Sequence, residues 1–264
     1  MDFKNITLDF IDSVAVLTLN DSKTLNAVSL DMLGELDEAF NAIEDPANGC
    51  RCLVMTGAGK GFCSGANLAG GVPMGEDGKP DFGAVLENYY HPLLLRMRAL
   101  SIPLVTAVNG AAAGIGMSFA LMGDMILASH NAYFLQAFRR IGLIPDGGST
   151  WLLPRLVGLA RAKELSIMAE KLPAEKALNW GLINRVTQPE TLMDEAMALA
   201  RDLASGPTIA YGLMRQLFTS SLDTPYEEQL NNERLAQKQA GHTEDCSEGI
   251  TAFLERRPAE FKGR

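Results

Sequence analysis

The chain is 264 residues long, with 47% apolar and 21% charged residues, enough for one α/β core carrying a helical appendage. A formal charge of -9 excludes the broad basic surface that a nucleic-acid backbone requires. No apolar run reaches the roughly 18 residues of a membrane span, and the opening Met-Asp-Phe-Lys-Asn carries neither a secretory nor a transit signature, so a soluble, cytoplasmic protein is expected.

In chain order, alternating apolar and polar residues over 6–10 and 14–19 predict a hairpin that opens a sheet. Ser29 is placed to cap a helix running to about Ile43, which Asp45-Pro46 stops. Residues 52–56 read as a buried strand, followed by a small-residue loop from Gly57 to Gly61. Residues 69–83, rich in Gly, Pro and Asp, read as a mobile loop bordering a pocket, and a helix is expected over 84–100. Next come a strand over 103–108, a glycine-spaced turn over 109–116, a helix to about Gly123 and a strand over 125–128, the rhythm of a right-handed crossover. A second turn, Ile144-Pro145-Asp146-Gly147-Gly148, opens a helix. Beyond Leu172-Pro173 the chain reads as helical except for one strand over 182–186. The organisation expected is a core over 1–200 and a C-terminal helical region over 201–264.

Cys50, Cys52, Cys63 and Cys246 have no CxxC spacing, and only His91, His130 and His242 could add nitrogen ligands, so no metal site is implied. The chemical signal is a pair of small-residue turns, Ser64-Gly65-Ala66 and Ala113-Gly114-Ile115-Gly116, each leaving a strand and feeding a helix. Such turns present unpaired N–H groups, and two amides of this kind can polarise a carbonyl. Glycine after a strand also serves as plain turn punctuation, so the pattern leaves both readings open.

Three stretches carry a resemblance. They are Thr24-Leu25-Asn26-Ala27-Val28; Thr56-Gly57-Ala58-Gly59 with Phe62-Cys63-Ser64-Gly65-Ala66; and Val108-Asn109-Gly110-Ala111-Ala112-Ala113-Gly114-Ile115-Gly116. In order and spacing they resemble the motifs of the crotonase (enoyl-CoA hydratase/isomerase) superfamily, and the likeness runs from about Phe3 to Phe261. It implies an α/β fold, the crotonase (ClpP-like) spiral of ββα units with a helical C-terminal trimerisation region, and an acyl-CoA thioester as the substrate. CoA enters as part of that substrate, and no separate cofactor is implied. The oxyanion hole would be the amides of Ala66 and Ile115. Lys23, Leu25 and Ala27, with Ala66, Asn67 and Leu68, would line the CoA arm, with Gly114 shaping the turn. Asn67 stands where relatives have an acidic residue. Lys262 and Phe253 would reach CoA in a neighbour's site within a homotrimer or a hexamer of paired trimers.

An oxyanion hole makes an α-proton removable, but an acid or base must move it. Between Glu87 and Glu164 the only carboxylates are Asp124 and Asp146. Where two-glutamate hydratases carry their acids, this chain has Ser118 and Phe138. Asp146 lies in a segment similar to the phenylacetate-pathway isomerases, which turn ring 1,2-epoxyphenylacetyl-CoA into its oxepin isomer and shift double bonds in enoyl-CoA chains. One carboxylate suffices for that chemistry, and apolar walls from Phe138, Ile141, Leu143 and Trp151 would raise its pKa. As a residue type after Pro145, Asp146 equally suits a helix N-cap. His91 occupies the place of the water-activating histidine of chlorobenzoyl-CoA dehalogenases, giving a rival reading with Asp146 as nucleophile. Hydration, a silent acyl-CoA-binding protein and a Ser118/His130 hydrolase complete the alternatives.

Overall fold

A computed structural model describes residues 2–264. The expected hairpin forms from β1 (Ile6–Ile11) and β2 (Val14–Leu19), paired antiparallel from Ile6↔Leu19 to Ile11↔Val14. Helix α1 (Leu30–Glu44) follows, and the Ser29 side chain accepts from the Met32 amide as an N-cap should. The chain then passes through three successive ββα units. The first strand of each joins one large sheet and the second joins a smaller one. The units are β3 (Cys52–Gly57) and β4 (Gly61–Cys63) with α2 (Phe82–Val85) and α3 (His91–Ala99); β5 (Leu104–Val108) and β6 (Ala111–Ala113) with α4 (Ile115–Ala120); and β7 (Met125–Ser129) and β8 (Tyr133–Leu135) with α5 (Ser149–Val157).

Among the described residues the large sheet has the order β1-β2-β3-β5-β7-β10 and the small one β4-β6-β8-β9, with α6 (Leu159–Met168), β9 (Leu172–Pro173), α7 (Ala174–Asn179) and β10 (Arg185–Thr187) completing the core. From β2 to β10 the large sheet is parallel. Strands β3 and β5 are buried along their whole length because both faces are covered, as their predominantly apolar sequences require. On one face Phe40, Phe62, Met97, Phe119 and Phe134 form the main core. On the other, α8 (Leu192–Ser205) lays Leu192, Ala196 and Ala200 against Val14, Val54 and Val105.

The structure differs from the sequence expectations where strands are short. Strands β4, β6 and β8 have three residues each, too few for an alternating pattern to register, and β4 and β6 fall where loop and turn were expected. The late strand is β10 at Arg185–Thr187, shifted from 182–186. Helix α8 runs through residue 200, so the break before the C-terminal helices α9 (Thr208–Ser221), α10 (Tyr226–Gly241) and α11 (Glu244–Glu255) comes at Gly206-Pro207. The helix expected over 84–100 contains a π turn at Leu86–Tyr90. Pro92 explains it: the missing N–H and the ring prevent a normal α-helical bond at that point, and the wider turn absorbs the misfit.

Candidate active site

Parallel pairing of β4 with β6, Gly61↔Ala111 and Cys63↔Ala112, sends both following turns out of the same end of the small sheet. The turns touch. A Cβ on Gly65 would lie 3.3 Å from the Ala113 carbonyl oxygen, and one on Gly114 would lie 3.8 Å from the Gly65 Cα. Gly114 also needs its missing side chain for conformation, since it holds φ 53 and ψ -127 as the residue before α4.

Each turn leaves a main-chain donor free. Val28 N–H donates to the Gly65 carbonyl and Asn67 N–H donates to the Val28 carbonyl, both at 2.8 Å. Donors alternate sides along extended backbone, so the Ala66 N–H between them faces away from Val28, with no hydrogen-bond acceptor among the described residues. Ile115 is the first residue of α4. Its N–H has no acceptor within the helix, and Gly114 offers no capping side chain. The Ile115 side chain is buried, so only its amide is available to a ligand.

Residues 23–27 are held against this end of the sheet by Asn26, which is fully buried. Its Nδ2 donates to the carbonyls of Ala58 (3.0 Å), Gly61 (2.8 Å) and Phe62 (3.2 Å), and its Oδ1 accepts from the Asp21 amide (2.9 Å). That clamp brings Lys23 and Leu25, both exposed, and the buried Ala27 beside the loop carrying Ala66, Asn67 and Leu68. Asn67 accepts from the Ala69 amide at 3.0 Å, so its side chain closes a local turn.

Asp146 reaches the same region from the segment before α5. A Cβ on Gly147 would overlap the Ile115 Cδ1 and lie 2.8 Å from the Ser118 Oγ, which fixes the Asp146-Gly147 turn directly on α4. A buried polar chain holds the turn from below. Gln136 Nε2 donates to Ser149 Oγ (3.1 Å), Ser149 and Ser118 share a hydrogen bond (2.8 Å), and Ser118 Oγ donates to the Asp146 carbonyl (3.2 Å). The carboxyl itself caps nothing: α5 begins after Gly148 without a side-chain cap, which removes the N-cap reading. Oδ1 of Asp146 is enclosed with no hydrogen-bond partner, and burial pushes the carboxyl up to about 6. An enclosed carboxyl oxygen without a partner is costly, and carboxyls raised in this way concentrate at sites of proton transfer.

Phe138 is buried, with its Cζ 3.8 Å from where a Gly114 Cβ would stand, and so walls this pocket. Ile141 is exposed at the end of a 3-10 turn over Ala137–Ile141. Trp151 is not a wall. It is sandwiched between the guanidinium groups of Arg98 (4.1 Å) and Arg155 (3.9 Å) in a different cleft, with Leu121, Met214 and Phe218. His91 is exposed at the start of α3. Lys262 lies outside this chain's own pocket: the Lys262 amide donates to Asp245 at 2.6 Å, and the tail around it packs near Arg51 at the start of β3. Ser118 and His130 do not meet, because His130 is exposed and pairs with Glu175 at 3.3 Å. Asp124 is structural, accepting from the Leu104 amide and from Arg215. Among the described residues no three His, Cys, Asp or Glu side chains gather as a metal set would.

Gln136 and Ser149 escaped sequence reasoning. A polar residue inside an apolar run was the available signal for Gln136; Ser149, between Gly148 and Thr150, carried none.

The enoyl-CoA hydratase/isomerase family profile matches residues 9–264. The chain belongs to the enoyl-CoA hydratase/isomerase family. It is similar to the 1,2-epoxyphenylacetyl-CoA isomerase of Escherichia coli K12, with 43% identity over 95% of each chain. It is also similar to a probable enoyl-CoA hydratase of Rhodobacter capsulatus, 39% identical over the full length of both. Among solved structures, enoyl-CoA hydratase subunit I of Geobacillus kaustophilus superposes with a TM-score of 0.91 at 32% identity, covering 100% of both chains. Members of this family carry the crotonase spiral, as the three ββα units of this chain do.

Proposed function

We propose that this enzyme is an acyl-CoA isomerase in which the amides of Ala66 and Ile115 hold the thioester oxygen and Asp146 moves the proton. The Asp146 carboxylate takes a proton from one carbon of the acyl group as the electron pair delocalises onto the thioester oxygen. The resulting carboxylic acid returns that proton to another carbon, so a double bond migrates and no water is consumed. The observation that carries the reading is a carboxyl with one enclosed, unpartnered oxygen on a turn packed directly against α4, the helix that begins at the Ile115 amide. Positions 118 and 138, where hydration would place its acids, hold a hydrogen-bonded serine and a phenylalanine.

Likeness to the E. coli epoxyphenylacetyl-CoA isomerase supports a ring epoxide among the substrates. The Rhodobacter relative's hydratase name keeps hydration as the alternative. Assembly into a trimer or hexamer is supported by the apolar C-terminal surface, where Phe253 is 83% exposed and Phe218 76%. Residence in the cytoplasm is part of the same proposal. The test is Asp146→Asn: double-bond migration in an enoyl-CoA should disappear while the ester still binds. Full activity in that variant would refute the assignment.

A further inference from the structure

The mechanism above gives no task to Gln136, Ser149 and Ser118, three fully buried polar side chains hydrogen-bonded in a row. The hydrogens in that row can be placed. Ser149 Oγ already accepts from Gln136 Nε2, and among the described residues its own hydrogen has no acceptor except Ser118 Oγ. Ser118 therefore accepts from Ser149 and donates its one hydrogen to the Asp146 carbonyl, 3.2 Å away. The Ser149 amide donates to the same carbonyl at 3.0 Å. Donors aligned in one direction strengthen each other along the row.

The row ends on the main chain of Asp146. Because the enclosed Oδ1 has no partner, the carboxyl is not held through that oxygen, and its aim depends on the backbone it hangs from. Gly147 and Gly148, with φ 58 and 79, come next, and glycine backbone is the least restrained of any. Ser118 stands three residues after Ile115, about one turn along α4, a helix buried at every position. A Cβ on Gly116 would overlap the Cys63 carbonyl oxygen, so α4 also sits hard against β4, the strand that leads to Ala66. One helical turn thus carries the Ile115 amide at one end and the anchor of the Asp146 backbone at the other. We propose that Ser118 is a positioning residue: its hydroxyl, ordered by Ser149 and Gln136, fixes the Asp146 backbone relative to the Ile115 amide and so sets the rate of proton transfer. This inference rests on the isomerase reading of Asp146 and Ile115. Misplacing a reacting group by about 1 Å can cost about a hundredfold in rate.

The experiment compares Ser118→Ala with Ser149→Ala. Each removes one buried hydroxyl and strands one donor, so both should melt below wild type by similar amounts, yet only S118A takes a side-chain donor from the Asp146 carbonyl. The rate and KM are measured for conversion of 3-hexenoyl-CoA into 2-hexenoyl-CoA, with thermal melts on the same preparations. S118A should lose about a hundredfold in kcat with KM within about twofold of wild type, and S149A should lose less than about tenfold in kcat. Ser118→Cys, which keeps a weak S–H donor, should fall between wild type and S118A, and it decides the matter if S118A does not fold. Losses in kcat that track melting temperature alone, or a serine-118 variant with wild-type kcat, overturn the role of Ser118 and leave the isomerase reading standing. A rise in KM without loss of kcat overturns it as well. A wild type that moves no double bond in this ester overturns the isomerase reading and this proposal with it.

Discussion

Asn in place of Asp146 preserves shape and removes the charge, which separates two opposite expectations. Were the carboxyl a structural device, its loss would weaken the fold. Here its Oδ1 is enclosed without a partner and burial raises the carboxyl from its ordinary 3.8 to about 6, so its ionised form opposes folding. The full difference corresponds to about 3 kcal/mol, and residual contact with solvent reduces the realised gain to about 2 kcal/mol. The sign follows from linkage. Between the two values the folded protein holds a proton that the unfolded chain has released, so this carboxyl lowers stability as pH rises through that window. D146N should therefore be inactive at neutral pH yet melt several degrees higher than wild type, at roughly 2 °C or more per kcal/mol. The gain should fade below about pH 4, where the carboxyl is protonated in both states. Wild-type kcat/KM should rise with pH around a midpoint near 6, because the base form is the working form. The assays are differential scanning calorimetry across pH and the rate of enoyl-CoA isomerisation. A D146N variant that is less stable at neutral pH would sink the argument, whatever its activity.

Gly147→Ala should cost at least about 2 kcal/mol and more than about a hundredfold in rate, because φ is 58 and the new Cβ would collide with Ile115 Cδ1, pushing Asp146 off α4; denaturant melts and steady-state kinetics check both. Asn26→Ala strands three carbonyls and should destabilise by about 2–3 kcal/mol, raising KM for the CoA ester more than it lowers kcat. Ile115→Ala should cost about 2–3 kcal/mol in unfolding free energy. Its kcat should fall less than about tenfold, since the donor is main chain; a far larger loss would assign the side chain to the chemistry.

Two kinds of information divide cleanly in this protein. Composition, periodicity and caps were enough for the elements whose pattern is local: the β1–β2 hairpin, α1 behind Ser29, the buried β3, the crossover around β5 and α4, and the run of C-terminal helices. The motif stretches were likewise local, and they carried the family and the positions of the two amide-bearing turns. Three-residue strands are too short to show a period, which is why β4, β6 and β8, whose pairing brings those turns together, were invisible. Residue type alone left Asp146 divided between helix cap and catalyst. Tertiary packing removed the cap by starting α5 after Gly148 and by enclosing the Asp146 Oδ1 without a partner. Packing likewise withdrew Trp151 into an arginine sandwich and turned Ser118 toward Ser149. The π turn at Leu86–Tyr90 is by contrast a local consequence of Pro92. A sequence states which groups a chain owns; their pKa and reach depend on neighbours that are distant along it, and only the folded chain supplies those.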